Sequence, residues 1–121
     1  MQRKTFRQLR AATESGFHYS VYVVLLDARA ARDPKVKQAN PNADSQKPCV
    51  YVGMTGLEPK ERLANHKKGI KAARIVQCYG RRLLPELYHW LNPMPLAAAV
   101  RMEQDLAEDL RRQGYTVTGG H

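Results

Sequence analysis

Residues 49 to 66 read Cys-Val-Tyr-Val-Gly-Met-Thr-Gly-Leu-Glu-Pro-Lys-Glu-Arg-Leu-Ala-Asn-His, and the rest of the chain is organised around them. Cys49 to Val52 is β-branched and aromatic, the composition of a buried strand. Gly53 and Gly56 bracket a turn. Pro59 suits the first turn of a helix, where its missing N–H has no intrahelical bond to lose. On that helix Arg62 and His66 are four apart and share a face. A strand that delivers Tyr51 beside a helix that delivers a guanidinium and an imidazole has the ingredients of a phosphate site.

Upstream, His18 to Leu26 is the clearest strand, dense in β-branched and aromatic residues with no Gly or Pro inside it. Alternation puts Ser20, Tyr22, Val24 and Leu26 on one face and Tyr19, Val21, Val23 and Leu25 on the other. Both faces are partly apolar, so the strand is expected to be covered on each side. Residues 1–17 form a mildly basic extension in which Phe6, Leu9, Ala11 and Ala12 give a short helix-compatible pattern. Asp27 to Lys47 is polar, carries Pro34 and Pro41, and has no sustained periodicity. It reads as a long mobile connection, either a substrate-contacting flap or a tolerated surface insertion.

Downstream, Gly69 is the expected end of the helix, and residues 70 to 79 do not separate helix from strand. Pro85 followed by Glu-Leu-Tyr-His-Trp-Leu favours a short helix, with an edge strand at Leu83 and Leu84 as the alternative. Pro95 to Gln113 is a helix, with Pro at its start, Arg111 and Arg112 in its last turn and Gly114 as its stop. Its apolar stripe runs Leu96, Ala99, Val100, Leu106, Ala107 and Leu110. Three-four spacing through the gap lands on Glu103. A carboxylate in the middle of an inward face costs several kcal/mol unless a cation or strong donors compensate it. Tyr115 to Thr118 is compatible with a short terminal strand, and Gly119, Gly120 and His121 are expected to be loose.

The 121 residues fit one domain with a real core. The net charge of +9 is uneven. From Lys60 to Arg82 eight cations face Glu61 alone, and such a block attracts polyanions, of which nucleic acid is the commonest inside cells. Cys49 and Cys78 make no disulfide framework, and Cys49 reads as a small core residue. No apolar run approaches a membrane span, and the N-terminus lacks the apolar segment of a secretion signal. A cytoplasmic, reduced protein without membrane contact is the expectation.

Taken together these pieces resemble a GIY-YIG nuclease domain, from about residue 20 to residue 114. Ser20-Val21-Tyr22 stands where that family has Gly-Ile-Tyr, and Tyr51-Val52-Gly53 where it has Tyr-Ile-Gly. The second motif continues through Thr55 to Arg62-Leu63 and His66, and the Ala-rich helix with Glu103 resembles the family's metal-binding helix. Residues 115 to 121 lack the late asparagine that the family often has. The resemblance implies an α/β fold of the α+β type, with a small antiparallel sheet of two to three strands flanked by helices. It implies a DNA endonuclease that uses one Mg²⁺ or Mn²⁺ ion, and leaves open whether the substrate is branched or flapped DNA, a specific site or RNA. By the same resemblance Tyr22, Tyr51, Arg62 and His66 are catalytic and Glu103 is the metal ligand. Lys60, Lys67, Lys68, Lys71 and Arg74 would then track the phosphate backbone and make binding salt-dependent. A protein partner or a homodimer is compatible with the missing recognition domain.

Plainer readings stand beside these. Tyr22 and Tyr51 are also ordinary strand residues, and His66 alone reads as a surface helix residue. His18, His89 and His121 read as structural. The lesser alternative for Glu103 is a structural ion pair with a buried arginine. The rival functions are a nucleic-acid-binding module on the same scaffold that does not cut, and a small protein whose basic surface recruits an acidic partner.

Overall fold

The computed structural model describes residues 17–120, so the pattern at Phe6 to Ala12 and His121 lie outside the described residues. Strand β1 (Ser20–Leu26) forms in the β-branched run, and every residue in it but Leu25 is buried. Strand β2 (Cys49–Thr55) pairs antiparallel with it, Tyr22 opposite Gly53 and Val24 opposite Tyr51. Directly opposed residues share a face, as do residues two apart on a strand. Tyr22 and Tyr51 therefore project to the same side. The strand runs straight through Gly53, where the sequence suggested a turn. Its glycine serves close approach instead: a Cβ there would stand 2.6 Å from Cζ and Oη of Tyr22.

Two further strands complete a sheet ordered β3-β1-β2-β4. Strand β3 (Gly80–Leu83) is an antiparallel edge, and β4 (Thr116–Gly119) lies parallel to β2 with Thr118 opposite Tyr51. The expectation of two or three antiparallel strands is thus corrected to a four-stranded mixed sheet. A strand regained after a long helix returns in the direction of its neighbour, which is how parallel pairs arise. Gly119 and Gly120 are not loose. Gly119 closes β4 at φ 82°, and the Gly120 N–H donates to the Val52 carbonyl at 2.9 Å.

The segment from 27 to 47 is also corrected, because much of it is helical. A 3₁₀ turn (Ala28–Arg32) is followed by α1 (Pro34–Ala39). Asp27 accepts from the Arg29 N–H, and Asp33 accepts from those of Lys35 and Val36, with Pro34 in the first turn. At the end of α1, buried Asn40 takes the place of a missing strand. Its Oδ1 accepts from the Val117 N–H at 2.8 Å, and its Nδ2 donates to the Val117 carbonyl at 2.9 Å. Asn92 does the same for Val21, at 2.8 and 2.7 Å. Both amides satisfy backbone groups that a sheet edge would leave open.

Helix α2 (Pro59–Lys68) ends on Gly69 at φ 79°, as the sequence predicts. The ambiguous stretch after it becomes α3 (Arg74–Tyr79), and Pro85 opens the first of two 3₁₀ turns, Pro85–Leu87 and His89–Leu91. Helix α4 (Leu96–Arg112) buries Ala99, Glu103, Leu106, Ala107 and Leu110. Leu96 and Val100, assigned to its inward stripe, are exposed, and the buried face runs through Ala99, Glu103, Leu106, Ala107 and Leu110 instead. The core itself is built from Val21, Val23, Val50, Val52 and Val117, all fully buried, and Cys49 joins it as a free thiol pushed up to about 11 by burial.

Candidate active site

Four elements bring the sequence-selected groups together. The β1–β2 register sets the Tyr22 and Tyr51 rings side by side, centroids 6.2 Å apart. Helix α2 lays His66 against both, its ring 6.1 Å from Tyr22 and 5.7 Å from Tyr51. His66 is fully buried, not a surface residue. From α4, Glu103 lies close enough that its charge raises the pKa of both phenols.

The hydrogen bonds of His66 fix its tautomer. The main-chain N–H of Ala73 donates to Nδ1 at 3.0 Å, so Nδ1 carries no proton. In a neutral ring the proton then resides on Nε2, which lies 2.8 Å from the Tyr22 hydroxyl and donates to its oxygen. Burial, followed by the Arg62 charge, holds the imidazole at about 4, well below its usual 6.5, so the neutral ring is the form present. One nitrogen accepts from an amide and the other holds a proton against Tyr22. His66 is therefore a donor to the phenol and not a free base, and the Tyr22 O–H proton is left to point elsewhere.

Arg62 is anchored without being neutralised. It donates to the carbonyls of Ile70 at 3.2 Å and Lys71 at 2.9 Å, in the turn after the Gly69 cap, and pairs with no carboxylate among the described residues. Two of the five N–H groups of a guanidinium are used in this way, and Arg62 also hydrogen-bonds the Tyr22 side chain, which leaves part of its donor fork for an anion. Its charge opposes the rise in both phenols, which burial nonetheless pushes above the ordinary value of 10.

Glu103 is 7% exposed, and burial raises its carboxyl to about 7, offset in part by the Met54 main-chain N–H. No cation pairs with it among the described residues, so the reading of a structural ion pair is not met. The donor set tests what it suits. No group of three or more His, Cys, Asp or Glu gathers among the described residues, which disfavours a closed zinc-type cage. A buried, uncompensated carboxylate suits Mg²⁺ or Mn²⁺, hard ions that keep much of their water and need few protein oxygens. Glu103 fits such an ion.

The basic block divides. Lys71 and Arg74 flank the carbonyls that hold Arg62 and the amide that holds His66, and both are exposed. Lys68 is exposed on α2. Lys60 and Lys67 lie on the side of α2 away from Arg62, in a separate groove. Arg81, counted with the block, is bound to Asp27 at 2.9 Å. Of the remaining histidines, His18 stacks on Tyr19 and His89 meets the Pro85 carbonyl at 2.9 Å.

Sequence reasoning missed three supports of this cluster. Gly53 provides the space in which the phenols converge, the Ala73 amide sets the imidazole, and the Ile70 and Lys71 carbonyls aim the guanidinium. The last two are main-chain groups, which any residue type supplies and no motif marks. Among the described residues, no helix is long and apolar enough to cross a membrane. No protein-family model, curated protein or solved structure matches the chain.

Proposed function

We propose that this chain is a divalent-metal-dependent endonuclease that hydrolyses a DNA phosphodiester bond at a site of the GIY-YIG type. One observation carries the reading: two phenols, an anchored but unpaired guanidinium and a buried carboxylate without a cation converge from β1, β2, α2 and α4. Such a set matches a phosphate in the course of substitution. Arg62 binds the non-bridging oxygens with the N–H groups its anchors leave free, stabilising the extra charge of the transition state. Tyr22, held by His66 and hydrogen-bonded to Tyr51, would leave the Tyr51 hydroxyl to orient water or a phosphate oxygen. Glu103 would hold one Mg²⁺ or Mn²⁺, which supplies Lewis-acid charge and lowers the pKa of bound water. Lys71 and Arg74, with Lys68 further out, would attract the backbone of the strand, whereas Lys60 and Lys67 face the other side of α2.

The alternative is a nucleic-acid-binding module that does not cut, favoured by phenols whose pKa lies above the usual value and which are protonated at neutral pH. Labelled branched, nicked and linear DNA, incubated with the protein in Mg²⁺, Mn²⁺ or EDTA, separates the two. Cutting is expected only with metal, reduced about 10²–10³-fold by Arg62→Ala. Glu103→Ala is expected to abolish cutting while binding is retained. Retarded mobility with no product in either metal favours the binding module, and no affinity at low salt sinks both.

A further inference from the structure

A groove of about 930 Å³ runs between α2 and the β3 edge with its following 3₁₀ turn, lined among others by Lys60, Leu63, Ala64, Lys67, Arg82 and Leu83. At about 100° per residue, Lys60, Ala64 and Lys67 face away from the side of α2 that carries Arg62 and His66. The groove is thus back to back with the tyrosine cluster across a single helix.

Its chemistry is that of a surface made for a protein. The floor is aliphatic: Leu63 and Leu83 are half-buried, and Ala64 and Pro85 are exposed. Tyr88 lines it but is only 3% exposed, so no ring is available for a nucleobase to stack on. Lys67 spans one wall, its Nζ donating to the Arg81 carbonyl at 3.2 Å, and thereby covers an outward group of the edge strand. Lys60, Lys67 and Arg82 pair with no carboxylate among the described residues. Glu58 and Glu61 line the end nearest the start of α2, where they repel a continuous phosphate backbone. An aliphatic floor and a cationic wall complement a chain that carries both leucines and carboxylates, with its carboxylates at the Lys67 end of the groove and not beside Glu58 and Glu61.

We infer that this groove docks an acidic amphipathic segment of a partner protein, its apolar side chains on Leu63, Ala64 and Leu83 and its carboxylates against Lys67 and Arg82. The occupant leaves Tyr22 and Tyr51 uncovered, so docking and phosphodiester chemistry proceed on opposite faces of α2. Docking is read without cleavage, so its failure and that of the nuclease reading are distinguishable.

The test titrates the full ¹⁵N-labelled chain with a synthetic amphipathic peptide that has leucines on one face and glutamates on the other. A version with lysine for glutamate and a single-stranded oligonucleotide serve as controls. Amide shifts are expected at residues 60 to 67 and 81 to 83, with none at Tyr22 or Tyr51, and the lysine peptide is expected to bind at least about tenfold more weakly. Ala64→Glu, at an exposed helical position that leaves the fold intact by thermal melting, weakens binding about tenfold or more. Lys67→Glu does the same and lowers the salt dependence. The inference is overturned if the glutamate peptide causes no shifts at millimolar concentration, or if Ala64→Glu binds as the unsubstituted chain does. It is likewise overturned if the lysine peptide binds equally, or if the oligonucleotide alone reproduces the shifts.

Discussion

Replacing Glu103 with glutamine should stabilise the metal-free protein above neutral pH while removing its response to divalent ions. Burial raises the carboxyl from 4.5 to about 7, so between those values the folded state binds a proton that the unfolded state has released. The sign follows: the protonated carboxyl contributes stability that is complete below about 4.5 and lost as the pH climbs through about 7. The difference corresponds to about 3 kcal/mol at pH 8, because each pKa unit represents about 1.4 kcal/mol. Glutamine keeps the shape and an acceptor for the Met54 N–H but never ionises. Allowing for its extra N–H groups, a gain of about 1–3 kcal/mol is expected at pH 8, or roughly 5–15 °C in Tm for a domain near this size. At pH 4.5 the two proteins should melt within a degree or two. The assay is thermal unfolding followed by circular dichroism in EDTA at both pH values, repeated with Mn²⁺ at pH 8. Mn²⁺ should raise the Tm of the unsubstituted chain and leave Glu103→Gln unmoved. A substituted protein that melts at or below the parent at pH 8 would falsify the picture of a buried, uncompensated carboxylate.

The acid limb belongs to His66. Its folded pKa of about 4, against an ordinary 6.5, gives stability that is present above 6.5 and lost as the pH falls through about 4, about 3 kcal/mol in all. In the Glu103→Gln background, which removes the opposing gain from the carboxyl below pH 7, His66→Gln should flatten the decline in Tm between pH 7 and pH 4, and an unchanged decline would show that another group is responsible. Gly53→Ala puts a Cβ 2.6 Å from the Tyr22 hydroxyl and 2.9 Å from Cε1 of Tyr51, so at least one ring must move. A loss of about 1–3 kcal/mol by urea unfolding and at least a tenfold loss of cleavage are expected, and native-like values for both would contradict the contact. Asn40→Ala leaves the Val117 N–H and C=O without their side-chain partners. A cost of about 2–4 kcal/mol in the same assay is expected, and a cost below about 1 kcal/mol would mean that water replaces the amide.

What the sequence disclosed tracks where side-chain chemistry carries the information. The β-branched run of β1, the Gly69 cap and the periodicity of α4 are written in residue types, so these elements and the inward position of Glu103 are legible without coordinates. The segment from 27 to 47 is half legible. Asp33-Pro34 is a capping pair, but α1 spans only Pro34–Ala39, too short for the periodicity that identifies a helix. The parallel partnership of β4 with β2 is illegible because strand direction depends on how α4 carries the chain back, not on Thr116 to Gly119 themselves. Gly53 misled for a related reason. Glycine marks a turn or a close approach, and only the Tyr22 ring across the strand pair decides which.

The protons held by these residues account for the expected dependence on a divalent ion. At neutral pH both phenols retain their protons, because burial outweighs the opposing charge of Arg62. Both nitrogens of His66 are engaged, one by the Ala73 amide and one by Tyr22. Among the described residues the one carboxylate of the cluster, Glu103, is raised by burial to about 7 and is the group that a cation would occupy. None of these side chains is a free base of the kind that abstracts a proton from water at neutral pH. What they do provide is a cationic, hydrogen-bonding cradle, dry enough that added charge acts strongly within it. On the proposed reading, an ion held by Glu103 would supply the acidity of water that these side chains do not. Cleavage should rise with pH in step with deprotonation of that carboxyl, and a rate independent of pH from 5.5 to 8 at saturating DNA and fixed Mn²⁺ would assign the proton to another acceptor.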